Sequence, residues 1–131
     1  MIVVDTNVLA YLLLPYEFSA RADALYRKDP DWAAPIFWRS EFRNLLAGYM
    51  RRKTLKFEEA AKVQAEAEAL MSGNEHEVDS RHILELVRDS DCTAYDCEFV
   101  ALAIKLDIKA ITVDKKLLKA FPEYTTALPA A

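Results

Sequence analysis

The chain has 131 residues, 53% of them hydrophobic and 29% charged, a balance that fits a soluble domain with a buried core and excludes a disordered polyelectrolyte. Its formal net charge of −4 excludes a protein that grips nucleic acid by bulk positive charge, though not one that meets phosphate through bound cations. With only two glycines and five prolines there is little material for flexible linkers, so one domain spanning 1–131, without internal repeats, is expected.

Ile2-Val3-Val4 is a β-branched apolar run and reads as a buried strand. It lacks the basic start and the apolar stretch of a secretory signal, and no later segment is long enough to span a bilayer. The expected location is therefore the cytoplasm, with no membrane partner. Asp5-Thr6-Asn7 is rich in capping residues, and Val8 to Leu14 reads as helix up to Pro15. Glu17 to Lys28 has Phe18, Ala22, Leu25 and Tyr26 on one helical face, and Asp29-Pro30-Asp31 is a loop.

Trp32-Ala33-Ala34 is a short strand candidate before Pro35. From Ile36 to Arg52, Trp38, Phe42, Leu45, Leu46 and Tyr49 recur at helical spacing. Phe57 to Met71 is a helix by Ala and Glu content, stopped by Ser72-Gly73-Asn74, and it fits a projecting arm or a partner-facing surface, or equally a helix covering the sheet. Glu75 to Asp79 reads as a short strand. Ser80 to Asp89 reads as a helix capped by Ser80, and Thr93 opens another that ends near Leu106. Ala110 to Val113 is a second β-branched strand, Asp114 to Ala120 a short helix, and Tyr124 to Leu128 a final edge strand. Strands alternating with helices predict an α/β fold with a mostly parallel central sheet.

Asp5 and Asp114 each follow an apolar strand, and parallel sheets bind ligands beyond the carboxyl ends of their strands. Both also suit a plain capping role. Glu41 borders the apolar stripe formed by Trp38, Phe42 and Leu45, and Asp96 shares a face with Phe99, Val100 and Ala103. A carboxylate facing a core is costly unless it is paired or bound to a cation. The structural alternatives are a capping box from Thr93 to Asp96 and a pairing of Glu41 with Arg39 or Arg43. Four carboxylates at one sheet edge repel each other unless positive charge lies between them. A hard divalent cation, Mg²⁺ or Mn²⁺, matches an all-oxygen donor set. His76 and His82 fall outside this pattern, and Cys92 and Cys97 lack metal-binding spacing, so zinc is not expected.

These segments resemble the PIN-domain family, and within it the VapC-type toxins of toxin–antitoxin pairs. The resemblance covers nearly the whole chain. Ile2 to Leu9 is similar to the family's first motif, Ser40 to Leu46 to the second, Thr93 to Ala103 to the third and Ile111 to Leu117 to the fourth. It implies a three-layer α/β/α sandwich and a ribonuclease that hydrolyses RNA phosphodiesters with Mg²⁺ or Mn²⁺. The implied catalytic and metal-binding residues are Asp5, Glu41, Asp96 and Asp114. It also implies a homodimer neutralised by an antitoxin. Cys97 stands where the family commonly has Ala, and Asp114-Lys115-Lys116 lacks an acid that some relatives carry, so Asp114 either touches metal or acts through water.

The implied chemistry is in-line attack of water on a phosphodiester, with the cation lowering the water's pKa and neutralising phosphoryl charge. Thr6, Asn7 and Thr112 are supporting polar residues that orient water or phosphate. Arg39, Arg43, Arg51, Arg52, Lys53 and Lys115 are candidates for steering RNA, or simply a solvated face. Two other classes compete. A phosphotransfer domain, of phosphatase or receiver type, also places an Asp after a strand, but the phosphatase pattern wants a second Asp where Asn7 stands. A non-catalytic PIN-like module binding RNA or protein would have lost one or more of the four acids.

Overall fold

A computed structural model describes all of residues 1–131. In chain order it contains β1 (Ile2–Val4), α1 (Thr6–Leu13), α2 (Ser19–Lys28), β2 (Trp32–Pro35), α3 (Trp38–Arg51), α4 (Phe57–Leu70), β3 (Glu75–His76), α5 (Ser80–Arg88), α6 (Ala94–Leu106), β4 (Ala110–Thr112), α7 (Lys115–Ala120) and β5 (Thr125–Ala127). The five strands form one sheet in the order β3-β2-β1-β4-β5, and every pairing is parallel. A receiver-type fold would place its strands in the order 2-1-3-4-5.

The sequence explains why β1 is central. Val3 and Val4 are fully buried, as a strand covered on both faces requires. Val3 is in register with Ala33 of β2 on one side and with Ala110 of β4 on the other. α6 lies across β1, β2 and β4, and carries α5 on its outer side. Its inward residues Phe99, Leu102 and Ala103 belong to the main core, while Val100 and Ala101 join Ile83, Leu86, Leu117 and Phe121 in a second cluster. α1, with α2, α3 and α4 gathered around it, forms the other helical layer. The result is the expected three-layer α/β/α sandwich.

Element ends depart from the sequence reading for local reasons. α2 starts at Ser19, two residues late, because the Ser19 hydroxyl bridges the turn: it accepts the Tyr16 N–H at 2.8 Å and donates to the Leu14 carbonyl at 2.9 Å. α3 starts at Trp38, because the Ile36 N–H still donates to His76 and so belongs to the sheet edge. The cap of α5 is Asp79, whose carboxylate accepts the His82 N–H, and Ser80 is already helical. β3 is only two residues long. α4 is a covering helix and not an arm: it packs on α3 and α1, with Ala60 and Ala67 buried. No helix is long and apolar enough to cross a membrane.

Candidate active site

The parallel sheet sends four helix N-termini to its carboxyl edge. Asp5 is the N-cap of α1 and Asp114 the N-cap of α7, while Glu41 and Asp96 lie in the first turns of α3 and α6. Because β1 and β4 are neighbours, the residues that follow them are brought side by side. All four acids line one open pocket of about 200 Å³, together with Thr6, Asn7, Asn44, Leu45 and Phe99. The partial positive charge of each helix start favours a carboxylate there, which partly offsets placing four together.

Asp5 is the most tightly held. One carboxylate oxygen accepts the Val8 N–H at 3.0 Å and the other accepts the Thr112 hydroxyl. The same Thr112 oxygen accepts the Asp114 N–H at 3.0 Å, so one buried hydroxyl fixes the approach of two acids. Asp114 in turn accepts the Lys116 N–H at 2.8 Å. Capping is thus real for both aspartates and leaves them on the pocket wall. Thr6 donates to Glu41 at 2.6 Å, which ties the start of α1 to the start of α3. Asn7 is exposed at the pocket.

The structural alternatives for the other two acids do not hold. Thr93 accepts the Asp96 N–H at 3.1 Å, but the return half of a capping box is not formed, and Asp96 lines the pocket instead. Arg39 turns away from Glu41 to Glu75, at 2.9 Å, and to Glu68, at 3.0 Å. That pairing also removes Arg39 from the free cations that could steer RNA. Thr112 needs a second correction: it is fully buried behind Asp5, so it orients that carboxylate and does not reach into the pocket. Asn44 was missed, although it stands one helical turn after Glu41 on α3.

The electrostatics show an unbalanced cluster. Burial pushes the Asp5 carboxyl up; the bonds from Thr112 and Val8 oppose this, and the Asp114 charge adds to it. Burial also raises Glu41, the Thr6 bond works against this, and the charges of Asp96 and Asp5 raise it further. Asp96 is raised by burial, held back by Thr93, raised by Asp114 and lowered by Lys116. Lys116 is exposed, and none of the four acids forms an ion pair. Cys92 and Cys97 are free and buried, with thiols pushed up by burial.

The donor set is all oxygen, anionic and unpaired, which suits a hard cation such as Mg²⁺ or Mn²⁺ and gives a soft metal nothing to bind. No three of these side chains are spaced as a ready-made cage. That spacing agrees with Mg²⁺ chemistry, in which one or two carboxylates bind directly and waters fill the remaining positions.

The family model for the PIN domain matches residues 2–122. The chain belongs to the PIN-domain family. A curated relative, Ribonuclease VapC3 of Pyrobaculum aerophilum, is 28% identical over 95% of this chain and 98% of its own length. Among solved structures, FitAcB from Neisseria gonorrhoeae superposes with a TM-score of 0.75 at 18% identity, covering 95% of this chain and 96% of that one. A toxin–antitoxin complex from Klebsiella pneumoniae superposes with a TM-score of 0.74 at 14% identity over 100% of both chains. At such low identity these structures speak for the PIN fold alone.

Proposed function

We propose that this PIN-domain chain is a divalent-metal-dependent endoribonuclease acting as the toxin of a toxin–antitoxin pair. The observation that carries the reading is the gathering of Asp5, Glu41, Asp96 and Asp114 in one pocket without a paired cation. The similarity to a protein named as a ribonuclease supports the activity, and the likeness to a toxin–antitoxin complex supports the biological setting.

In this reading Asp5, Glu41 and Asp96 would hold Mg²⁺ or Mn²⁺, one or two of them directly and the rest through bound water, and Asp114 would support the ion directly or through water. When bound, the ion supplies charge neutralisation at the phosphoryl oxygens and a water acidic enough to attack near neutral pH. Thr112 holds Asp5 and Thr6 holds Glu41, so neither carboxylate must reorganise when substrate arrives. Asn7 and Asn44 present amides at the pocket wall, suited to phosphate or ribose oxygens. Arg43, Arg51, Arg52, Lys53 and Lys115 are exposed and unpaired, and fit the role of drawing RNA toward an otherwise acidic protein.

Two partners belong to the same proposal. An antitoxin would block the pocket. A second copy of the chain would cover the apolar face where Leu84 and Tyr95 are 63% and 65% exposed, beside Ile36 and Phe37. The deciding experiment is cleavage of a defined RNA with Mg²⁺ and with EDTA, using Asp5→Asn as control. Cleavage that needs both the metal and Asp5 is expected. Cleavage that survives either loss contradicts the mechanism.

A further inference from the structure

The two cysteines take no part in the chemistry of the acidic pocket, yet they bracket one of its acids. Thr93 is the N-cap of α6, so Cys92 stands one residue before the cap and Cys97 is the fourth residue of the helix. Apolar side chains at these two positions pack against each other and fix the angle at which the chain enters a helix. Here both members of that staple are thiols. Cys92 is 5% exposed and Cys97 0%, and both belong to the cluster that contains Val100, Leu117 and Phe121.

One hydroxyl holds the pair. Ser90 Oγ donates to the Leu86 carbonyl at 2.7 Å and accepts the Cys92 N–H at 3.2 Å. Its one proton is thereby used, so in its 3.9 Å contact with Cys97 Sγ the thiol is the donor. The end of α5, the Cys92 backbone and the Cys97 side chain thus meet at a single atom. Burial raises both thiols, the Ser90 hydroxyl holds each of them back, and the Cys92 charge raises Cys97 further, as for two sulfurs close together.

Asp96 lies between them in the chain. Thr93 closes the first turn of α6: its hydroxyl accepts the Asp96 N–H at 3.1 Å and its carbonyl accepts the Cys97 N–H at 3.0 Å. The turn that presents Asp96 to the pocket is therefore the turn that the two thiols anchor. Cys92 sits in the loop before it, where Asp89, Asp91 and Thr93 are exposed.

We propose that Cys92 and Cys97 form a redox-modification site, at which a hydroperoxide makes an intramolecular disulfide that moves Asp96 out of its place in the metal pocket. The inference rests on the divalent-metal reading and adds a regulation of that pocket. The Cys92 sulfur attacks the peroxide: an S–O bond forms, the O–O bond breaks, and the alcohol leaves with the thiol proton. The Cys97 sulfur then attacks the Cys92 sulfur. An S–S bond forms, the S–O bond breaks, and the hydroxyl leaves as water with the Cys97 proton. Two thiols and one hydroperoxide give one disulfide, one alcohol and one water.

The bond changes the turn because the sulfurs must come closer. Side chains in contact lie ~4 Å apart, whereas an S–S bond is ~2.05 Å long. A metal site tolerates displacements of only ~0.5 Å in its ligands. Buried thiols react slowly, so the dithiol is the resting form in a reducing compartment and the disulfide accumulates under peroxide load.

The test treats the full chain with hydrogen peroxide in EDTA, removes both, and then titrates it with Mn²⁺ by calorimetry. Trypsin releases residues 89–105 as one peptide that holds both cysteines and no methionine. In the parent that peptide should lose ~2 Da, the two hydrogens of a disulfide, and regain them with dithiothreitol. Oxidation should weaken Mn²⁺ binding about 10–100-fold, the scale for disturbing the support of a metal ligand, and reduction should restore it. A Cys97→Ala variant, shown to be folded by its melting curve, should bind Mn²⁺ like the reduced parent before and after peroxide.

A peptide that keeps its mass, gains only oxygen, or links two chains overturns the dithiol site. An internal disulfide that leaves Mn²⁺ binding unchanged overturns the regulation, and the metal reading stands. If the reduced parent takes up no Mn²⁺, the metal reading falls and the regulation with it, whatever the mass of the peptide.

Discussion

Two groups of acids in this molecule are built from the same residue types and behave in opposite ways. Glu68 and Glu75 share the Arg39 guanidinium, with Glu75 held through two nitrogens at 2.9 Å each. That cluster holds its own cation, shared between the two carboxylates, and it pins the α3–α4 pair to the edge strand β3. Asp5, Glu41 and Asp114 receive hydroxyl or backbone donors, the Asp96 carboxylate receives none, and none of the four has a paired cation. Acids that the chain pairs with a cation act as structure, whereas acids that it gathers in a pocket without one are prepared for a charge from outside.

The contrast can be broken most sharply at its positioning hydroxyl. Thr112→Val keeps shape and burial and removes the bond to Asp5. RNA cleavage should fall about 10–100-fold, as for loss of a group that orients a metal ligand. A steady-state assay giving the parental rate would show that Asp5 needs no such support.

Metal should act on the pocket and not on the Arg39 cluster. Millimolar Mg²⁺ or Mn²⁺ should raise the melting temperature over EDTA by several degrees, since a ligand at a hundred times its Kd stabilises the native state by ~2.7 kcal/mol. An identical melt with and without metal, together with no uptake of Mn²⁺ by calorimetry, would count against the site.

Arg39→Met is the converse case. It leaves Glu75 largely buried without its partner, and should lower the melting temperature by a few degrees. The cleavage rate of the folded variant should stay near that of the parent. A large loss of kcat would mean that the two regions are coupled.

The smallest effect is a pH trend in the metal-free protein. The carboxyls of Asp5, Glu41 and Asp96 are all held above their ordinary values. The folded state therefore binds protons more tightly than the unfolded chain, and ionising these groups costs stability. That cost is fully present above the raised values and is relieved as pH falls through them toward the ordinary carboxylate range. In EDTA, the stability of the parent relative to Asp5→Asn should improve on acidification from neutral pH. A difference that stays flat over that range would contradict the burial effect.

Much of this contrast was legible in the sequence, and the missing part has a physical reason. The strand at Ile2-Val3-Val4 and the acid after it could be read from local pattern, because a strand buried on both faces leaves an unbroken apolar run. The acidity and order of the four motifs likewise identified the pocket residues. Long-range partners were out of reach. Thr112 and Asp5 are 107 positions apart, and nothing near Thr112 marks it as the residue behind that carboxylate. Arg39 stands 36 residues from Glu75, so a cation beside Glu41 in sequence read as free when the fold had already engaged it. At the start of α5, Asp79 and Ser80 are equally good caps by type, and only the geometry of the chain leaving β3 selects Asp79.

The claim that these acids form an outside-cation site is tested most directly by Asp96→Asn, measured twice: by denaturation in EDTA and by calorimetric titration with Mn²⁺. A structural acid that loses its charge loses stability. A ligand acid crowded by Asp114 loses repulsion. The variant should therefore be at least as stable as the parent without metal, and should bind Mn²⁺ far more weakly. A variant that unfolds more easily in EDTA yet binds Mn²⁺ as the parent does would make Asp96 a structural residue and contradict the four-carboxylate site.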